Sequence, residues 1–249
     1  MRFAPDGSVA WRLDGSFHRD LDVGRDGAIV SLTFEPQHLN NMSREHPTKA
    51  EQLAWVTPEG AVQKKLSLLS ALVRSPHWHL VEALDVPDGD ILHTSSVDLL
   101  DDPGPDPAFA AGRVVVTVPV IDAVLVFDPA EEVFPWGIVG DPLHAPQAAR
   151  LTPGGLLVLD NQSGPSTVRL FDPKTKAELR TFAGSPAVPF ATPSAGAVHL
   201  LPNRDLLVVS THEGRATELS PQGQVVWTWQ TPYAAAAGRA APLFDVLPR

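Results

Sequence analysis

Val124–Trp136, VLVFDPAEEVFPW, joins two β-rich runs through a turn opened by Asp128 and Pro129. Val, Phe and Trp favour a pleated, half-buried strand, and Asp-Pro presets a tight turn. The same half-module recurs as RFAPDGSVAWRL (2–13), QLAWVTPEGAVQKKL (52–66), VRLFDPKTKAELRTF (168–182) and ATELSPQGQVVWTW (216–229). Their turn prolines are Pro5, Pro58, Pro129, Pro173 and Pro221. The intervals suit a four-stranded propeller blade.

Between these copies stands a second type of strand pair: LDVGRDGAIVSL (21–32), the interrupted VDLLDD and GRVVVTV (97–118), ARLTPGGLLVLDN (149–161) and VHLLPNRDLLVVS (198–210). The alternation predicts a single all-β domain over residues 1–249, a β-propeller with five visible blade modules. The Pro-turn half-modules are expected outside and the second type inside. The closing LFDVLPR (243–249) has one strand of an inner pair, a partner for the outer pair at the N-terminus. The fit lacks a strand, so either the closure blade is short or an N-terminal blade has been lost, and the loss is the expected case. Glu35–Ala50 has neither period and reads as a decorating loop. In Ser67–Asp85, Leu68, Leu69, Leu72 and Val73 have helical spacing, with Ser67 placed to cap them and His77-Trp78-His79 near the end.

Composition narrows the function. Of 249 residues 43% are hydrophobic, enough for a substantial core, and the 25 prolines and 18 glycines punctuate short strands. The 29 acidic residues against 19 basic give a net charge of -10 with no basic stripe, which argues against nucleic acid and anionic membrane surfaces. Without cysteine there is no disulfide, thiolate metal site or thiol nucleophile. The start lacks an apolar run of signal or membrane length, so the expected location is cytoplasmic as written, or periplasmic or membrane-anchored if an N-terminal segment is missing. No His-x-x-x-His pairing suggests a metal and no Gly-x-Ser-x-Gly elbow a serine nucleophile; no metal or cofactor is expected.

His93 is the centre of the chemistry. It lies in GDILHTSSVDLLDD (89–102), where apolar residues flank a polar island. His18, His144 and His199 stand near the starts of comparable strand pairs, so at least three of these four rings are expected to share a central pocket. His38 and His212 should lie outside it, and His46 falls in a loop.

These residues resemble the bacterial arylsulfotransferase family of β-propellers. Its His-x-Asn-Ser-Val appears as His93-Thr94-Ser95-Ser96-Val97, its His before a Leu-Pro-Asn-Gly turn as His144 before Leu151–Gly154, and its Asp-Asn pattern as Leu159-Asp160-Asn161-Gln162. FHRDLDVGRDG (17–27), LSLLSALVRSP (66–76) and GRATELSPQGQVVWTW (214–229) match as well. The resemblance implies a six-bladed ring that moves a sulfuryl group from a phenolic sulfate to a phenol through a transiently sulfated histidine, without a nucleotide donor. It implies His93 and His144 as catalytic residues, with His18, Arg19, Ser95, Gln147, Asn161, Arg169 and His199 holding substrate. Several positions depart from the pattern: Ser95 replaces the Asn, Gln147 takes the column from which His144 is displaced, Arg169 is the nearest substitute for the family's Arg, and His18-Arg19-Asp20 stands for His-His-Asp. The alternative from another class is a propeller that binds a ligand or protein without chemistry.

Overall fold

The computed structural model describes residues 1–38, 47–84, 89–161, 165–184, 190 and 195–231. It holds four antiparallel four-stranded sheets in chain order, each meeting the next face to face. Blade 1 is β3 (Phe17–Val23), β4 (Ile29–Gln37), β5 (Thr48–Val56) and β6 (Val62–Ser67), preceded by a two-stranded ribbon, β1 (Arg2–Phe3) and β2 (Val9–Trp11). Blade 2 is β7 (Ser96–Leu99), β8 (Val114–Val118), β9 (Ala123–Asp128) and β10 (Val133–Val139). Blade 3 is β11 (Pro146–Thr152), β12 (Gly155–Asp160), β13 (Thr167–Phe171) and β14 (Glu178–Ala183). Blade 4 is β15 (Ala197–Leu200), β16 (Leu206–Ser210), β17 (Arg215–Leu219) and β18 (Val225–Gln230). Of five expected modules, four are complete blades; the first is an outer pair only. Leu243–Arg249, the expected closing strand, lies outside the described residues.

The middle strands of blades 2 and 3 are apolar on both faces because each of these blades lies between two others. On β8, Val114, Val116 and Val118 pack toward blade 1 and Val115 toward blade 3. On β12, Leu156 and Val158 face blade 2 while Leu157 and Leu159 face blade 4. Side chains alternate with period two, so VVVTV and GLLVLD serve two interfaces at once. Outermost strands such as β6 and β14 are largely exposed and carry the charged residues.

Two repeated contacts hold blade to blade. At the inner edge, Asp20 Oδ2 accepts the Val97 N–H (2.8 Å) and Asp22 Oδ2 the Leu99 N–H (2.7 Å). One blade on, Ser96 Oγ accepts the Ala149 N–H (3.2 Å) and Asp98 Oδ2 the Leu151 N–H (2.8 Å). The inner strands therefore run the same way, and Asp20, Ser96 and Ala148 are equivalent positions. At the outer edge a donor on the last strand reaches the turn proline of the next blade: Trp136 Nε1 to Pro173 O (2.8 Å) and Arg180 Nη1 to Pro221 O. Trp11 Nε1 does the same to Pro58 O (2.8 Å), so the ribbon contacts blade 1 as an outer strand pair of a preceding blade would.

Two segments refine the reading. Ser67 caps α1 (Leu68–Val73), its Oγ accepting the Ser70 N–H at 3.0 Å, and α2 (Trp78–Glu82) follows. Leu68, Leu69 and Leu72 enter the core between blades 1 and 2. The Glu35–Ala50 loop is shorter than expected, because β4 and β5 stay paired through Glu35↔Ala50, Pro36↔Lys49 and Gln37↔Thr48. That extension brings Lys49 and Glu51 to the end of blade 1. Among the described residues no helix is long and apolar enough to cross a membrane.

Candidate functional site

His93 ends the loop that enters blade 2, three residues ahead of the bridging Ser96, with a left-handed backbone (φ 50°). Such a conformation costs a non-glycine residue roughly 1 kcal/mol or more and persists only where its surroundings enforce it. Its Nδ1 lies 2.9 Å from Asp90 Oδ2 and 2.8 Å from Arg19 Nη2. Arg19, also left-handed (φ 59°), donates from Nη2 to Asp90 Oδ2 at 2.6 Å. Lys49 Nζ is 3.9 Å from the same oxygen. Burial works against ionisation of Asp90, but the His93 hydrogen bond and the charges of Arg19, His93 and Lys49 hold it at about 2. Arg19 Nη2 can only donate to Nδ1 and the ionised carboxylate can only accept from it; the tautomer that serves Asp90 carries the proton on Nδ1 and leaves the lone pair of the neutral ring on Nε2. The His93 side chain is 40% exposed.

Behind this trio lies a buried layer. Glu51 on β5 is wholly enclosed, its Oε2 accepting the Thr94 N–H at 3.0 Å. Its Oε1 is 3.8 Å from His18 Nε2 and 4.0 Å from Arg19 Nη1. Those three atoms are buried without a hydrogen-bond partner among the described residues. Burial, helped by the charge of Asp90, lifts Glu51 to about 7. Burial and then Arg19 push His18 down to about 4, so its ring is neutral at ordinary pH; it packs edge-on against Phe34 with centroids 5.4 Å apart.

The other expected site residues stand elsewhere in the repeat. Arg19, Ser95 and Gln147 occupy equivalent slots, one residue ahead of Asp20, Ser96 and Ala148; Ser95 Oγ is buried without a partner and Gln147 Nε2 donates to Ala145 O at 3.3 Å. The residue matching His93 in the next blade is Ala145, also left-handed (φ 52°). His144 is therefore one position out of register, 56% exposed and 3.9 Å from Asp122. Arg169 is bound by Asp160 Oδ2 (3.4 Å), Glu178 Oε2 (3.3 Å) and Pro142 O, and Asn161 Oδ1 accepts from Ser166 Oγ (3.2 Å). His199 pairs with Leu207, one residue before the last pair of its hairpin, the slot of Asp22 and Asp98. Three residues further along the strand than the Arg19 slot, it lies about 10 Å deeper. Of the four histidines expected to converge, the structure joins His18 and His93 through Arg19. His38 and His212 are exposed, and His46 lies outside the described residues.

Sequence reasoning missed Asp90, Glu51 and Lys49. Asp90 was legible as an acid three residues before His93, whereas nothing local marked Glu51. Among the described residues no group of three or more His, Asp or Glu side chains is arranged to hold a metal ion.

No family profile and no curated protein matches the sequence. Solved structures do. Virginiamycin B lyase from Staphylococcus aureus superposes with a TM-score of 0.51 at 11% identity, over 88% of this chain and 57% of that one. Glutaminyl cyclase from Myxococcus xanthus gives 0.51 at 9% identity, over 86% of this chain and 70% of that one. Both are β-propellers and neither is an arylsulfotransferase. At such identities the likeness speaks to fold alone: this chain is an all-β propeller, with four complete blades among the described residues.

Proposed function

We propose that the Arg19–Asp90–His93 cluster is a nucleophilic site that moves a sulfuryl group from a phenolic sulfate to a phenol. The observation that supports it is a half-exposed imidazole held at Nδ1 by an ionised carboxylate, with Arg19 and Lys49 alongside. In this reading the Nε2 lone pair attacks sulfur, an N–S bond forms, and the aryl O–S bond breaks with its electron pair leaving on the phenolate, which takes a proton from solvent. The Nδ1–H···Asp90 bond stabilises the cationic ring. The acceptor phenol then attacks the same sulfur, the N–S bond breaks, its pair returns to Nε2, and the phenol proton leaves to solvent. The resemblance calls for a six-bladed ring; four blades and a ribbon agree with part of one.

Intact mass tests the intermediate. With 4-nitrophenyl sulfate and no acceptor, a sulfuryl adduct is expected on the parent, mapping to His93. Neither adduct nor nitrophenolate release from any of several aryl sulfates would reject the reading. One observation favours the second reading, a propeller that binds without chemistry: Asp90 already neutralises Arg19 at 2.6 Å.

A further inference from the structure

Among the described residues, three buried atoms behind His93 are without a hydrogen-bond partner: His18 Nε2, Glu51 Oε1 and Arg19 Nη1. They lie close enough that one proton or one ion changes all three, at 3.8 Å between the ring and the carboxyl and 4.0 Å between the carboxyl and the guanidinium. Buried polar groups are normally satisfied, and an unpartnered carboxyl oxygen in a wholly enclosed residue is costly. We infer that Glu51 is a positioning residue which, when protonated, leaves the charge of the Arg19 guanidinium, whose side chain is 26% exposed, to a sulfate-class anion and, when ionised, takes that charge for itself. The inference rests on the anion site of the proposed function, not on its transfer step.

The surroundings support it. Glu51 is faced by His18 and Arg19 from β3 and by Asp90 and Thr94 from the loop entering blade 2, while Lys49 from its own strand and His93 reach the same Asp90. His18 cannot share the negative charge by becoming cationic, since burial and Arg19 hold it neutral down to about 4. Glu51, lifted to about 7 by burial, instead exchanges its proton in the neutral range. With the carboxyl protonated, the Arg19, Lys49 and Asp90 charges sum to a positive site; with it ionised they are cancelled.

Inorganic sulfate is the probe, titrated calorimetrically at pH 6 and pH 8 into the parent and Glu51→Gln. The parent should lose about tenfold more affinity than the variant across that interval, the loss expected for one proton released near the midpoint. With an aryl sulfate, the same contrast should fall on KM and spare kcat. An equal pH dependence in both proteins overturns the inference, as does sulfate that fails to bind the parent at either pH. Should Glu51→Gln not fold, His93→Ala serves, since it removes the imidazole beside Asp90. Sulfate binding to that variant at pH 8 should still take up close to one proton, read from heats in buffers of different ionisation enthalpy, and no uptake overturns the inference. Missing aryl-sulfate turnover alongside the expected sulfate titration would reject the transfer step and leave the role of Glu51 standing.

Discussion

The junctions of blade 1 with blade 2 and of blade 2 with blade 3 are built on one plan and put to different uses. In both, the residue four positions ahead of the bridged main-chain N–H, Val97 or Ala149, is left-handed, with φ of 50° at His93 and 52° at Ala145. The bend belongs to the scaffold. At the first junction it presents an imidazole to a carboxylate and a guanidinium, and behind them stand atoms with unused hydrogen-bonding capacity. At the second the slot holds a methyl group, and main-chain donors take up the carboxylates: Asp122 Oδ1 accepts the Ala145 N–H (2.7 Å) and Asp160 Oδ1 the His144 N–H (2.8 Å). A repeat thus supplies the position, and the side chain that fills it differs from junction to junction.

The comparison breaks most sharply at the histidines. His93→Ala should lower sulfuryl transfer by more than about 10³-fold with the melting temperature little changed, whereas His144→Ala should cost less than about tenfold. Nitrophenolate release with thermal melts on both variants decides this, and equal losses would put both junctions in the site. Asp160→Ala is the converse. It strips a buried acceptor from the His144 N–H and a carboxylate from Arg169, so denaturant unfolding should show a loss of about 3 kcal/mol or more while turnover per folded molecule persists.

A third contrast depends on pH. Glu51 sits at about 7 when folded against an ordinary value of 4.5, so between those values the folded state holds a proton that the unfolded chain releases. Stability from this group is present at low pH and is lost as pH rises through about 7. Between pH 5 and pH 8 the parent should lose on the order of 3 kcal/mol that Glu51→Gln keeps, measured by urea unfolding at each pH. Parallel losses would deny the first junction its unusual carboxyl. The smallest effect is at the outer edge of the second junction, where Trp136→Phe removes the bond to Pro173 O. Unfolding should show about 1 kcal/mol lost, with turnover untouched.

The sequence by itself determined the alternation of outer and inner strand pairs, the Ser67-capped helix and the prominence of His93. Each is a local matter of turn chemistry, strand period and capping, which neighbouring residues suffice to specify. Four complete blades stand among the described residues; RFAPDGSVAWRL has the same local pattern as their outer pairs, and nothing in the motif says whether inner strands accompany it. Proximity to strand starts does not by itself bring histidines together, because side chains alternate direction along a strand and a one-residue offset redirects them. His144 misses the His93 slot by one residue, and His199 takes the slot of Asp22. Only tertiary structure could decide such register, because it is set by hydrogen bonds between blades, Asp20 to Val97 and Ser96 to Ala149. Glu51 also reaches His18, Arg19 and Thr94 only after β5 has paired beside β4 and blade 2 has packed on blade 1. Its unusual carboxyl is a product of burial, which no stretch of sequence carries by itself.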